Sequence, residues 1–227
     1  SWPAVPAKPV VAWGALLGYC GILFFWGLGD RDLVSSHEAR AAQNAQNILE
    51  QGNWLLPRLF DRSLELQKPP LYYWFVALIG WMRGGVIDAW SVRVPAAMSA
   101  LGCVLWLAFL GNHMGRARAG MLAAFLLASC VHFTWLARVG RVDMLLAFLV
   151  ALSLGSFYLG VQQGAARCRW HGLAYTALAL GVLVKGPIAL ALPLAVVATH
   201  GLTTHRLDLR GYWRDLRGST VWWGVPW

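Results

Sequence analysis

Apolar residues in this chain fall in long runs broken by short polar stretches. Runs of spanning length cover residues 10–28, 94–111, 119–137 and 144–161, followed by a pair at 172–184 and 188–202. A transmembrane helix needs about 20 mostly apolar residues, so the pattern predicts an all-α integral membrane protein, a multi-pass helical bundle. One further run, 71–82, is too short to cross: at about 1.5 Å per residue it covers roughly 18 Å of a hydrocarbon core about 30 Å thick. A re-entrant or interfacial helix is expected there. The stretch 172–202 is too long for one crossing, and Lys185-Gly186-Pro187 supplies a break, since Pro ends a helix and Gly permits a tight turn.

The one long polar interlude is 35–74, SSHEARAAQNAQNILEQGNWLLPRLFDRSLELQKPPLYYW, which holds Glu38, Glu50 and Glu65, all the glutamates of the chain. Joined to apolar segments on both sides, it must lie at a membrane surface as a large first loop with interfacial helices. A helix is predicted from Ser35 to about Gln51, closed by Gly52. Ser35 and Glu38 match the capping box, in which Glu returns a hydrogen bond to the cap. Ala42, Ala45 and Leu49 form a weak apolar stripe suited to a helix lying on the membrane. Further on, Lys68 is followed by Pro69 and Pro70, which force an extended backbone, and by Tyr72, Tyr73 and Trp74, an expected interfacial belt.

Composition agrees with this picture. Hydrophobic residues make up 58% and charged residues 13%, where soluble chains run near a quarter charged. The net charge of +9 does not point to nucleic acid, because the arginines punctuate apolar runs instead of lining one face. Cys20, Cys103, Cys130 and Cys168 are scattered without a CxxC spacing, so neither a disulfide framework nor a zinc site is supported. The first apolar run is too long for a cleavable leader. The chain starts without Met and stops at Trp227 within a fresh apolar run from Val221. It is therefore expected to be one module, 1–227, the N-terminal part of a longer protein whose C-terminal part is missing.

Basic residues set the expected orientation. If 71–82 does not cross, Lys8, Arg116, Arg118, Arg167, Arg169, Arg206, Arg210, Arg214 and Arg217 all fall on the cytoplasmic side, as the positive-inside rule demands. Lys68, Arg93, Arg138, Arg141 and Lys185 are then left facing outward. For any one of them snorkelling is explanation enough, but five cations on one face point to an anionic ligand. Asp143 opens the run after Arg138 and Arg141, either as a helix cap or as a second acid beside Glu38. Two carboxylates among cations suit a site that handles a phosphate leaving group and activates a hydroxyl. His37, Glu38 and Asp143 are also the candidate ligands for a divalent metal.

The motifs HEAR…GNWLLPRLF…LQKPPLYYW, then ARVGRVDM, then GVLVKGPIALALP, resemble the GT-C membrane glycosyltransferases. The branch most resembled holds bacterial aminoarabinose transferases and protein O-mannosyltransferases, over residues 10–227. The resemblance implies transfer of a sugar from a polyprenyl-phosphate donor to a lipid, protein or glycan acceptor, at the outer face of the plasma (inner) membrane. It implies catalytic roles for Glu38, His37 and Asp143, and places Lys68 and Lys185, aided by Arg138 or Arg141, on the lipid phosphate. Where the family usually carries Asp-Glu, this chain has His37-Glu38, and Gln67 stands where a Glu often precedes the KP motif. Two rivals compete with the enzyme: a non-catalytic polyprenyl-lipid transporter or binding protein, which needs the cations but not the acids, and a partner subunit that has lost activity.

Overall fold

The computed structural model describes residues 9–52, 54–55, 68–162 and 167–204, and the regular structure there is entirely helical. The helices are α1 (Pro9–Phe25), α2 (Ser36–Gln51), α3 (Leu71–Met82), α4 (Ala89–His113), α5 (Ala117–Ser129), α6 (Val131–Ala137), α7 (Val142–Gln162), α8 (Arg167–Lys185) and α9 (Ile188–Thr204). The predicted multi-pass helical architecture holds. Lys8, Asn53, Pro57, Glu65, Gln67 and the arginines from Arg206 onward lie outside the described residues. Among the described residues, α4 and α7 are long and apolar enough to cross a membrane, and α5 with α6 adds a third if that bent pair is one span, while Val10–Phe25, Leu71–Met82 and Ile188–His200 are apolar but shorter.

The chain forms two compact units, one of Ser1–Leu66 with Tyr72–Leu145 and one of Gln67–Leu71 with Leu146–Trp227. In the first unit, Leu16, Cys20, Phe24 and Leu28 recur every fourth residue and make the buried stripe of α1 and the turn after it. They belong to one core with Ala96, Ala97, Ala100, Val104 and Ala108 of α4 and Ala124 and Ala128 of α5. Lipid tails are as apolar as leucine, so membrane helices gain little from burying large side chains and associate through small ones that let backbones approach. The limit is reached between α4 and α5, where a Cβ on Gly120 would stand 2.6 Å from the Cα of Gly111.

The run 119–137, expected as one span, is broken. Its two helices, α5 and α6, bend by 70° across Cys130. Neither Pro nor Gly stands at the break, so the sequence carries no signal for it. Hydroxyl groups satisfy the carbonyls there instead. Thr134 Oγ1 donates to Ala128 O at 2.8 Å and Ser129 Oγ to Phe125 O at 2.7 Å. The Ser129 hydroxyl also meets the Tyr19 hydroxyl at 2.9 Å.

In the second unit α7 and α8 meet where Gly160 lies under the buried His171 ring, and a Cβ on Gly160 would stand 2.7 Å from His171 Cε1. Phe157 presents ring edges to His171 and Tyr175, with centroids 5.7 and 5.3 Å apart. The predicted break between α8 and α9 is present. Gly186 adopts φ 76°, a left-handed conformation that glycine tolerates without strain, and its N–H closes on Val182 O at 2.8 Å. Helix α8 begins at Arg167, earlier than the apolar run alone marks, and is 19 residues or about 28 Å long.

Candidate functional site

The start of α2 is fixed by its cap. Ser35 is extended, its hydroxyl accepts from the His37 N–H at 3.3 Å, and its own N–H donates to the Glu38 carboxylate. The capping box read from the sequence is formed. At the far end Gly52 takes φ 69° and its N–H bonds Ile48 O at 2.9 Å. The buried face of α2 carries Glu38, Ala41, Asn44, Ala45, Asn47 and Ile48. The expected stripe of Ala42, Ala45 and Leu49 is thus rotated: Ala42 and Leu49 are only half-buried, because the side chain of Glu38 draws its own face into the protein.

Glu38 does more than cap. It is 3% exposed, and Arg93 of α4 grips it in a fork, Nε to Oε1 at 2.7 Å and Nη2 to Oε2 at 3.2 Å. The Gly140 N–H adds a third bond to Oε1 at 2.9 Å. Burial pushes the carboxyl pKa up, but the Arg93 guanidinium, the Gly140 N–H and the Ser35 N–H outweigh it and hold it below the ordinary glutamate value. The rest of the guanidinium binds backbone. Arg93 Nη1 donates to Leu28 O at 3.0 Å and Arg31 O at 2.8 Å, and Nη2 to Asp32 O at 2.9 Å. Arg93, expected as one of five cations awaiting an anion, is therefore an internal ion pair.

The 138–143 segment follows. Arg138 donates to Leu23 O at 2.9 Å and Trp26 O at 2.7 Å, near the C-terminus of α1. Carbonyls freed at a helix end attract a cation, and this grip, in place of a free phosphate-facing guanidinium, is what the structure gives Arg138. Arg141 pairs with Asp143 at 3.0 Å, both side chains partly exposed. So His37, Glu38, Arg138, Arg141 and Asp143 all belong to the first unit, and Gly140 ties their two segments together. Among the described residues no three His, Cys, Asp or Glu side chains converge as a metal site, so the set His37, Glu38 and Asp143 is not assembled as one.

The two lysines belong together in the other unit. Lys68 is half-buried in the short segment 67–71, which joins the unit containing the Lys185-Gly186-Pro187 turn. The aromatic residues after Pro70 are not a surface belt. Tyr72 and Tyr73 are 0% and 2% exposed, and the Tyr72 hydroxyl donates to Val92 O at 2.8 Å, next to Arg93. Trp74 is half-buried, with its indole N–H on Trp54 O.

Sequence reasoning missed the partnership of Arg93 with Glu38 and the part of Gly140. A lone charge within the buried run 91–97 was the available signal for Arg93. Gly140 gave none, being a small residue between arginine-bearing positions.

Comparison with known proteins adds four likenesses. Residues 67–222 match the family model described as dolichyl-phosphate-mannose-protein mannosyltransferase. The chain is 29% identical over 211 residues to the undecaprenyl phosphate-alpha-4-amino-4-deoxy-L-arabinose arabinosyl transferase of Shewanella sediminis, covering 91% of this chain and 38% of the relative. Its fold is similar to the crystal structure of ArnT from Cupriavidus metallidurans bound to undecaprenyl phosphate, with TM-score 0.78 and 23% identity over 92% of this chain and 38% of that one. It is also similar to the apo oligosaccharyltransferase of Archaeoglobus fulgidus, at TM-score 0.68 and 16% identity over 86% of this chain and 26% of that one. The chain thus spans little more than a third of the length of the bacterial transferases it matches.

Proposed function

Because the chain belongs to the dolichyl-phosphate-mannose-protein mannosyltransferase family, we propose that it is the N-terminal part of an integral membrane glycosyltransferase that takes its sugar from a polyprenyl-phosphate donor. The acceptor hydroxyl or amine attacks the anomeric carbon, and the bond from that carbon to the phosphate oxygen breaks. Polyprenyl phosphate departs with the bonding electrons, and the acceptor proton passes to a base. The reaction needs cations for the leaving phosphate and an acid–base group for the acceptor.

The observation that carries this reading is the grouping of Lys68 with Lys185. The two stand far apart in the chain, yet the five-residue segment around Lys68 packs with the unit that holds the Lys185 turn. Two ammonium groups in one unit of a membrane protein suit a phosphate. The start of α2 supplies the acid–base group through His37, with Asp143 and its partner Arg141 on the acceptor or sugar. The distribution of basic residues among the loops supports a site on the outer face of the inner membrane.

The test is binding of undecaprenyl phosphate by the full-length protein in detergent. A charge-assisted hydrogen bond is worth about 1.5–3 kcal/mol, so Lys68→Ala and Lys185→Ala should each weaken binding about 10- to 100-fold with unchanged melting. Unaltered affinity in both variants would sink the assignment. A non-catalytic lipid carrier would also need these lysines. Asp143→Ala separates the two: the enzyme loses release of undecaprenyl phosphate from undecaprenyl phosphate-α-4-amino-4-deoxy-L-arabinose, whereas the carrier keeps its lipid binding and has no turnover to lose.

A further inference from the structure

Resting on that reading, we infer that Glu38 and Arg93 are positioning residues that hold the 138–143 segment against the start of α2, and that Glu38 does not take the acceptor proton. Hydrogen-bond capacity decides this. A guanidinium has five N–H donors. Arg93 uses Nε on Glu38, both Nη1 protons on Leu28 O and Arg31 O, and both Nη2 protons on Asp32 O and Glu38. None is left for a substrate. The carboxylate is equally engaged, with two bonds from Arg93, one from Gly140 and one from the Ser35 N–H, at 3% exposure. To accept a proton from a substrate, Glu38 would have to abandon a buried guanidinium, which breaking such a pair makes costly.

The same bonds explain what the pair achieves. Arg93 ties three carbonyls after α1 to α4, and through Glu38 to α2, so three separate stretches of chain converge on one side chain. The Gly140 N–H brings in a fourth. A Cβ at Gly140 would collide with Val92 Cγ1 and stand 3.1 Å from Val92 O and 3.3 Å from Glu38 Cγ, so only glycine lets the segment come this close. Arg141 and Asp143, paired at 3.0 Å, follow directly and take their place from that contact. Glu38 acts on the reaction through them.

Hydrogen exchange on the full-length protein in detergent tests the inference without needing a substrate. Glu38→Gln and Arg93→Gln should each speed exchange in peptides covering 28–32 and 138–143 about 10- to 100-fold, while peptides from α8 and α9 stay unchanged. If Glu38→Gln does not fold, Arg93→Lys, which keeps the charge but not the fork, is read instead. Exchange unchanged in the folded variants overturns the positioning role. Turnover provides the second arm, measured as release of undecaprenyl phosphate from undecaprenyl phosphate-α-4-amino-4-deoxy-L-arabinose. In Glu38→Gln kcat falls but the acid limb of its pH profile remains, and Glu38→Asp recovers part of the loss. Disappearance of that limb makes Glu38 the base and overturns the inference. Absence of turnover in the wild type counts against the proposed reaction, and the exchange arm still decides the positioning.

Discussion

Protonating Glu38 removes the charge from both of its bonds to Arg93 at once, so the clasp makes stability depend on pH. The folded-state pKa of Glu38 lies below the reference value of 4.5. A depressed carboxyl contributes stability that is fully present above the unfolded value and is lost as pH falls through the folded one. The melting temperature of the full-length protein in detergent should therefore decline as the pH drops below about 4.5, with the loss continuing into more acidic solution. Arg93→Gln should melt earlier at neutral pH, since leaving one partner of a buried pair alone costs about 3–5 kcal/mol, and its acid decline should be shallower. An equal acid slope in both proteins would show that the decline belongs to other carboxylates. The neighbour, His37, is exposed at the first turn of α2, and the proposed reaction leaves to it the proton-accepting role that Glu38 is poorly placed for. His37→Asp should retain turnover while the acid limb of kcat moves to lower pH, because a carboxylate is a weaker base than an imidazole, and an unmoved limb would remove His37 from the reaction. At this scale the sequence made visible what is local: the Ser35–Glu38 box and the lysines beside prolines. The Glu38–Arg93 pair joins residues 55 apart, and no spacing rule reaches that far.

Between helices, what matters is how closely backbones can approach. Gly111 and Gly120 sit where α4 and α5 touch, and each would place a Cβ against the other's Cα. Gly120→Leu should drive the helices apart and destabilise the protein by about 1–3 kcal/mol, the usual cost of overpacking, read as a lower melting temperature in detergent. Gly115→Ala serves as the contrast, because its Cβ would meet open space, although φ 70° there leaves some backbone strain. If Gly120→Leu melts like the wild type, the close α4–α5 contact is not a source of stability. Apolar runs located the helices because each must satisfy its backbone internally in lipid. The turn at Gly186-Pro187 was equally legible, since both residues act through their own backbone. The bend at Cys130 was not. It rests on hydroxyls of Ser129 and Thr134 bonding back to carbonyls, and serine and threonine do this in straight helices as well. The roll of α2 was not legible either, because the stripe of Ala42, Ala45 and Leu49 marks one face while the Glu38–Arg93 ion pair turns another inward.

Across the whole molecule, the bent pair α5–α6 decides which loops share a side of the membrane. Helix α5 has 13 residues, about 20 Å, and α6 continues at 70° to it. If the pair crosses once, Arg116 and Arg118 lie on the opposite side from Arg138 and Arg141. With α7 crossing next, Arg167 and Arg169 rejoin Arg116 and Arg118 inside, as the positive-inside rule asks. If the pair instead dips in and returns, Arg116, Arg118, Arg138 and Arg141 share one side and Arg167 and Arg169 fall on the other. Basic residues then stand on both faces, and the charge bias is lost. The single crossing is the reading that keeps it. It also puts the carbonyls gripped by Arg138, near the end of α1, on the outer side with α2. Single cysteines at Gly115 and Arg141, in a full-length protein whose native cysteines are replaced, settle the matter with a membrane-impermeant maleimide on intact cells. Arg141→Cys should label from outside, and Gly115→Cys only after permeabilisation. Labelling of both from the outside, or of neither, would make α5–α6 re-entrant and move the start of α2 away from the face assigned to the donor lipid.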